Sequence, residues 1–224
     1  MMKLKKHFYY LILCFICINN VYSQNRTWIT YEVGQSRNQN EWNSNGSNLE
    51  IRKGHEGIVG LYIEQEVNKY LSIEIGVNDK FYGFDAKINE VDTIKLSSYA
   101  QYVQIPLRLK GKFNLFKERV YLSSFVGVGF TFNSYNGVKI YPNGYDYLIQ
   151  SNFPKNIYIL QSGLNLEVML KSWRFGCLVT YNNNPKDFIK YSVDALETSF
   201  KSTGDYMTYQ LRVGYAISNI WKKR

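Results

Sequence analysis

The sequence predicts an all-β protein, an eight-stranded antiparallel up-and-down transmembrane β-barrel, and three observations carry that reading. Eight segments alternate apolar with polar or small residues, at 26–36, 56–68, 70–84, 99–113, 119–133, 156–171, 173–182 and 205–218. Their joints run long, short, long, short, long, short, long. The short ones fall at 68–69, 114–118 and 171–172, the long ones at 37–55, 85–98, 134–155 and 183–204. Tight turns on one rim and long loops on the other are the pattern of a barrel that crosses a membrane. The third observation is an export signal on a chain with no later run of about eighteen apolar residues, so that only a closed barrel could hold it in a bilayer.

The signal opens the chain. Lys3, Lys5 and Lys6 precede an apolar run over 8–18, and Val21 and Ser23 supply compact residues ahead of a cleavage expected before Gln24. The run is about eleven residues long, too short to span a bilayer as a helix. Residues 1–23 are therefore read as a signal peptide and 24–224 as one outer-membrane β-barrel domain. Cys14 and Cys17 lie inside the run, which leaves Cys177 as the single cysteine of the exported part, unable to form an internal disulfide. The formal net charge is +9, and three lysines depart with the signal, so the exported part is near +6.

Along each segment the alternation defines two faces. The first sets Ile29, Tyr31 and Val33 against Thr30, Glu32 and Gly34. The second sets Val59, Leu61, Ile63 and Val67 against Gly60, Tyr62, Glu64 and Glu66, and the third Leu71, Ile73, Ile75 and Val77 against Ser72, Glu74, Gly76 and Asn78. In the fourth, Val103, Ile105, Leu107 and Leu109 oppose Gln104, Pro106, Arg108 and Lys110; Pro106 lacks a ladder donor and predicts a bulge or local distortion. The fifth places Val126, Val128, Phe130 and Phe132 opposite Phe125, Gly127, Gly129 and Thr131. The sixth places Leu164, Leu166 and Val168 opposite Gly163, Asn165 and Glu167, and the seventh Phe175, Cys177 and Val179 opposite Arg174, Gly176 and Thr180. The last sets Tyr209, Leu211 and Val213 against Gln210, Arg212 and Gly214.

The polar face carries Glu32, Glu64, Glu66, Glu74 and Glu167 together with Arg108, Lys110, Arg174 and Arg212. Side chains fill the interior of an eight-stranded barrel, and opposite charges there can pair. These nine residues are expected as an interior charge cluster, a structural plug, with the large apolar residues outward. Tyr70, Phe113, Phe116 and Trp173 beside the short turns are expected to form one aromatic belt. Phe81, Phe84, Tyr99, Phe130, Phe132, Tyr181 and Tyr206 near the long loops are expected to form the other.

Residues 102–113 (YVQIPLRLKGKF), followed by a turn and 120–130 (VYLSSFVGVGF), resemble the central hairpin of the small outer-membrane β-barrels called PorT-like, found mainly in Bacteroidetes-type bacteria. The signal ending Val21, Tyr22, Ser23 before Gln24 is also similar to that group. The resemblance implies the same eight-stranded barrel in the envelope of a Gram-negative cell. It brings no catalytic residues, since the family shares none, and a few relatives assist a secretion system.

The site chemistry sought in the residues is sparse. No catalytic, cofactor-binding or metal-binding set is expected. One cysteine and one histidine cannot fill a structural zinc site. Nucleic acid is not an expected partner, because no lysine cluster interleaves with aromatics on one face. The expected partners are membrane lipid and the phosphates of lipopolysaccharide, which loop-side Lys87, Lys95, Lys139, Lys155 and Lys190 would meet. Envelope or secretion-system proteins are further candidates, and the barrel is expected to be a monomer with both termini in the periplasm. The role read from this is non-enzymatic: structural, binding or export-accessory, through the external loops. Two alternatives stay open. One is a small-barrel lipid-modifying enzyme using His55, Glu56 and Ser97 or Ser98. The other is a soluble lipocalin-like carrier with the two faces inverted.

Overall fold

The computed structural model describes residues 26–44, 49–52, 56–89, 93–117, 119–141, 149–152, 156–184, 189–193 and 198–217. The expected signal peptide lies outside them. Eleven strands follow in order: β1 (Thr27–Ser44), β2 (Leu49–Arg52), β3 (Gly57–Glu66), β4 (Leu71–Asn89), β5 (Thr93–Phe116), β6 (Val120–Tyr141), β7 (Ile149–Asn152), β8 (Asn156–Leu170), β9 (Trp173–Asn183), β10 (Ile189–Val193) and β11 (Thr198–Ala216). Eight of them are the staves of an antiparallel up-and-down barrel in the order β1-β3-β4-β5-β6-β8-β9-β11. The barrel closes where β11 returns to β1, with Trp28 opposite Ala216 and Glu32 opposite Arg212. At the foot of that seam the Ile217 amide donates to the Thr27 carbonyl at 2.9 Å. Closure pairs the backbone groups that an open sheet would leave bare at its edges.

Both described ends of the wall lie on the rim of short turns. The β8–β9 joint is the two residues Lys171 and Ser172, and Lys171 takes φ 57°, the left-handed region. Lys117, in the β5–β6 turn, also has a positive φ of 40°.

On the other rim the structure departs from expectation. The four long connections are largely strand. β1 continues through the Asn-rich stretch to Ser44, β4 to Asn89 and β6 to Tyr141, while β5 begins at Thr93 and β11 at Thr198. Beyond the barrel rim these extensions form two ladders, β2-β4-β5-β6 and β1-β11-β10-β7. Continuing a hairpin satisfies backbone donors and acceptors whatever the side chains are. The Asn-rich stretch 38–48 lacks the apolar alternation that marks a stave in the sequence, whereas Tyr82, Phe84, Ala86 and Ile88 carry it on along β4.

Within the staves the two faces separate as the alternation requires. Ile63, Leu109 and Leu166 point outward, 41%, 46% and 47% exposed, and every stave carries exposed large apolar residues. Ile75 is half-buried on the same outer face. Tyr70, Phe113, Phe116 and Trp173 ring the short-turn rim, all exposed. At the other rim Phe81, Phe132 and Tyr181 face out, but Tyr206 turns inward and is buried. Its position sets this: Tyr206 shares parity with Thr208, Gln210 and Arg212, and all four point into the lumen.

Pro106 produces no bulge. The β5–β6 register runs through it, Pro106 opposite Gly129. On the β4 side the ladder pairs Ile75 with Leu107 and Asn78 with Gln104 in one register, but Gly76 and Val77 have no partner between them. The missing N–H opens a gap in the ladder without shifting it. The register shifts of the β5–β6 pair lie at Gln101/Tyr102 and Asn114/Phe116.

Candidate functional site

The lumen holds the charged residues. Glu32, Glu64, Glu74, Arg108, Lys110, Glu167, Arg174 and Arg212 are all buried, on alternate positions of the staves that carry them. Glu66, at the short-turn mouth, keeps 17% of its side chain exposed. Ladder register brings unlike charges together and also forces one like-charged pair. Glu74 faces Arg108 across β4–β5, but Glu64 faces Glu74 across β3–β4. Lys110 resolves the clash, its Nζ lying 2.8 Å from Glu64 Oε2 and 3.4 Å from Glu74 Oε2.

Glu74 is the hub. It accepts from Arg108 Nη1 at 3.0 Å, from Lys110 and from Arg212. Glu32 sits between the same two arginines, 3.2 Å from Arg108 Nη1 and 2.9 Å from Arg212 Nε, and also accepts from Gln210 Nε2 at 2.8 Å. Arg174 lies 2.7 Å from Glu64 and 3.6 Å from Glu167. Lys112, absent from the nine residues expected inside, completes the mouth with contacts of 2.7 Å to Glu64 and 3.0 Å to Glu66. Among the described residues the network balances five carboxylates against five cations. Aromatic rings take the remaining cation faces. The Arg108 guanidinium lies 4.6 Å from the Tyr62 ring centroid and 5.0 Å from that of Phe125, and Arg174 lies 4.7 Å from Trp28.

Above the charges sits an uncharged layer. Asn78 Nδ2 donates to the Tyr62 hydroxyl at 2.9 Å and to Gln104 Oε1 at 3.0 Å. Gln161 Nε2 donates to Asn182 Oδ1 at 2.7 Å and to Gln104 at 3.3 Å. Towards the long-loop rim the lumen becomes apolar and aromatic, with Ile58, Tyr102, Ile157, Ile159 and Tyr206 buried and the Lys80 ammonium 3.2 Å from the Tyr206 ring centroid. Ile157 and Ile159 had no signal in the sequence, because 157–160 reads Ile, Tyr, Ile, Leu and is greasy on both faces.

His55 lies outside the described residues. Glu56 accepts a hydrogen bond from Ser36 Oγ at 3.1 Å. Ser97 and Ser98 sit in the β5 extension opposite Asp85 and Phe84. Among the described residues no group of three or more metal-ligating side chains converges. Of the loop-side lysines, Lys87, Lys95, Lys139 and Lys190 lie on the extended strands, and Lys155 is outside the described residues.

No protein-family model matches the sequence, and no curated protein matches it. Solved structures do. The chain is similar to a major outer membrane protein from Thermus thermophilus, with a TM-score of 0.51 and 15% identity over 85% of this chain and 99% of that one. Weaker likenesses are to the outer membrane protein AlkL (TM-score 0.47, 15% identity, 86% of this chain and 90% of that one) and to Ail of Yersinia pestis (0.45, 14%, 86% and 99%). At such identities the shared feature is the barrel fold.

Proposed function

We infer that this chain is an integral outer-membrane barrel with a sealed lumen that acts through its outward hairpins in a non-enzymatic, structural, binding or export-accessory role. One observation carries the reading: exposed large apolar side chains cover the outside of every stave while a balanced ionic network fills the inside. Water is the wrong solvent for such an exterior, since an exposed apolar surface of this extent calls for lipid or a partner. A lipocalin-like carrier needs the opposite orientation. Residues 102–130 resemble PorT-like barrels, a few of which assist a secretion system, and this keeps an export-accessory role among the three.

The extended strands support contact with anionic sugar or lipid phosphate. Lys87 stands directly opposite Lys95, and Lys190 directly opposite Lys201. Like charges placed opposite each other weaken a ladder. Glu50 flanks the first pair and Glu41 the second, so each row of three retains one excess positive charge. Lipopolysaccharide phosphate fits that excess. The test is membrane fractionation followed by lipopolysaccharide binding. The wild type should stay with the membrane after a carbonate wash, and the Lys87→Gln/Lys95→Gln variant should bind lipopolysaccharide about thirtyfold more weakly (roughly 1 kcal/mol per surface cation). A protein released by the wash contradicts the membrane reading, and unchanged binding contradicts the phosphate contact.

A further inference from the structure

We propose that the β5–β6 hairpin holds one anionic phospholipid of the leaflet at the short-turn rim, its phosphate on Lys117, Arg119 and Lys171 and one acyl tail in a groove on the barrel wall. The inference rests on the membrane reading above and concerns the rim opposite the extended strands.

Three levels of the outer surface line up. At the rim, Lys117 and Arg119 flank the β5–β6 turn, both exposed. The Lys117 ammonium reaches sideways to 5.5 Å from the Phe116 ring centroid, which turns it towards the bilayer side of the rim. The neighbouring turn adds exposed Lys171, and the Arg119 carbonyl accepts from the Met169 amide at 2.7 Å, so the two turns are tied together. Glu118, between the first two cations, lies outside the described residues; even counted against them, the three turn cations stay in excess. Phe113, Leu115 and Phe116, each more than half exposed, supply an apolar collar at the same height.

One step deeper the wall dips. Gly111 and Ser124 form a cross-strand pair on the outer face, one row beyond Phe113 and Leu122. A Cβ at Gly111 would meet nothing closer than Ser124 Oγ at 3.9 Å. The exposed Ser124 hydroxyl stands about 7 Å along the strand from the aromatic row, where a glycerol ester would come. Deeper again, Ile73, Leu107, Leu109, Val126 and Val128 line an apolar groove of about 470 Å³, its floor the backbone at Arg108 and Gly127. The groove lies four to six residues from Phe113, or about 13–20 Å along a tilted strand, the reach of an acyl tail from the headgroup level. Cation, hydroxyl and groove follow one another in the order phosphate, ester and tail.

The test extracts the full barrel gently from vesicles of mixed phosphatidylethanolamine and phosphatidylglycerol and counts retained lipid by native mass spectrometry. One phosphatidylglycerol per barrel should be retained above its share of the vesicle. The Lys117→Gln/Arg119→Gln/Lys171→Gln variant should retain it at least tenfold less well. Gly111→Leu, which fills the dip and keeps every charge, should also lower retention. Arg26→Gln, at the foot of β1 two staves from the groove, should not. Retention equal to the bulk share, or insensitive to both variants, overturns the proposal. So does capture of an acidic protein at these turns with no lipid retained. Each variant is first shown to stay with carbonate-washed vesicles. A wild type that washes off would overturn the membrane reading itself, whereas a retained barrel without lipid preference overturns this inference alone.

Discussion

Glu74 shows what a single buried charge does here. It touches three cations, two on the adjacent stave β5 and one on β11 across the lumen, and its contact with Arg212 joins residues 138 apart in the chain. A buried ion pair contributes little by being present and costs much when halved. Arg212→Leu removes one partner each from Glu32 and Glu74, leaves the buried network one positive charge short and should lower stability by about 3–5 kcal/mol, read from the urea midpoint of the vesicle-bound barrel. Adding Glu74→Gln should recover part of that loss, and an unchanged midpoint for Arg212→Leu contradicts the network. Gly76 is a second sensitive point. A Cβ there would lie 2.2 Å from the Tyr62 ring, whose hydroxyl accepts from Asn78 and Arg108. Gly76→Val should cost about 1–3 kcal/mol through displacement of that ring, visible as a changed Tyr62 hydroxyl environment by NMR. Parity in the sequence was enough to place these residues on one face. It would also have placed Lys112, Trp28 and Tyr206 inside, had parity been applied against the pull of residue type. Lys112 lies two residues past Lys110, Trp28 two before Thr30, and Tyr206 two before Thr208.

Each stave was legible where one face meets an apolar surround and the other a polar lumen, because only then does a period of two appear in the residue types. The same rule explains what was not legible. The Asn-rich extension of β1 lacks that period and looks like a loop in the sequence, whereas 49–52, 82–89 and 189–193 keep it over runs too short to stand out as staves. Pro106 is an intermediate case: its missing donor was plain, but its effect depends on which neighbour the absent N–H would have faced. The gap at Gly76 and Val77 shows that it faced β4. Pro106→Ala restores a donor there and should add roughly 0.5–1.5 kcal/mol, the worth of one ladder hydrogen bond. Slower amide exchange in that part of β4 would show the repaired ladder, and unchanged exchange would contradict this account of the gap.

For the molecule as a whole, closure and lumen chemistry are one event. The ion pairs join β1 to β5 and β11, β4 to β5 and β11, and β3 to β5 and β9, so the network cannot form on an open sheet. The charged layer, the amide layer and the Tyr102–Tyr206 layer together leave the lumen filled with side chains. Reconstituted in planar bilayers, the barrel should show no discrete conductance steps, whereas steady unitary currents would contradict a sealed lumen. Both closure and sealing depend on the orientation of the two faces, and Cys177 offers direct access to it. It is the single cysteine of 24–224, exposed on the outer face of β9, where its backbone pairs with Leu166 and Leu211. A nitroxide attached there in detergent and carried into vesicles should be relaxed strongly by oxygen and weakly by a water-soluble nickel chelate. Strong relaxation by the nickel chelate with little effect of oxygen would put that face in water and contradict the account.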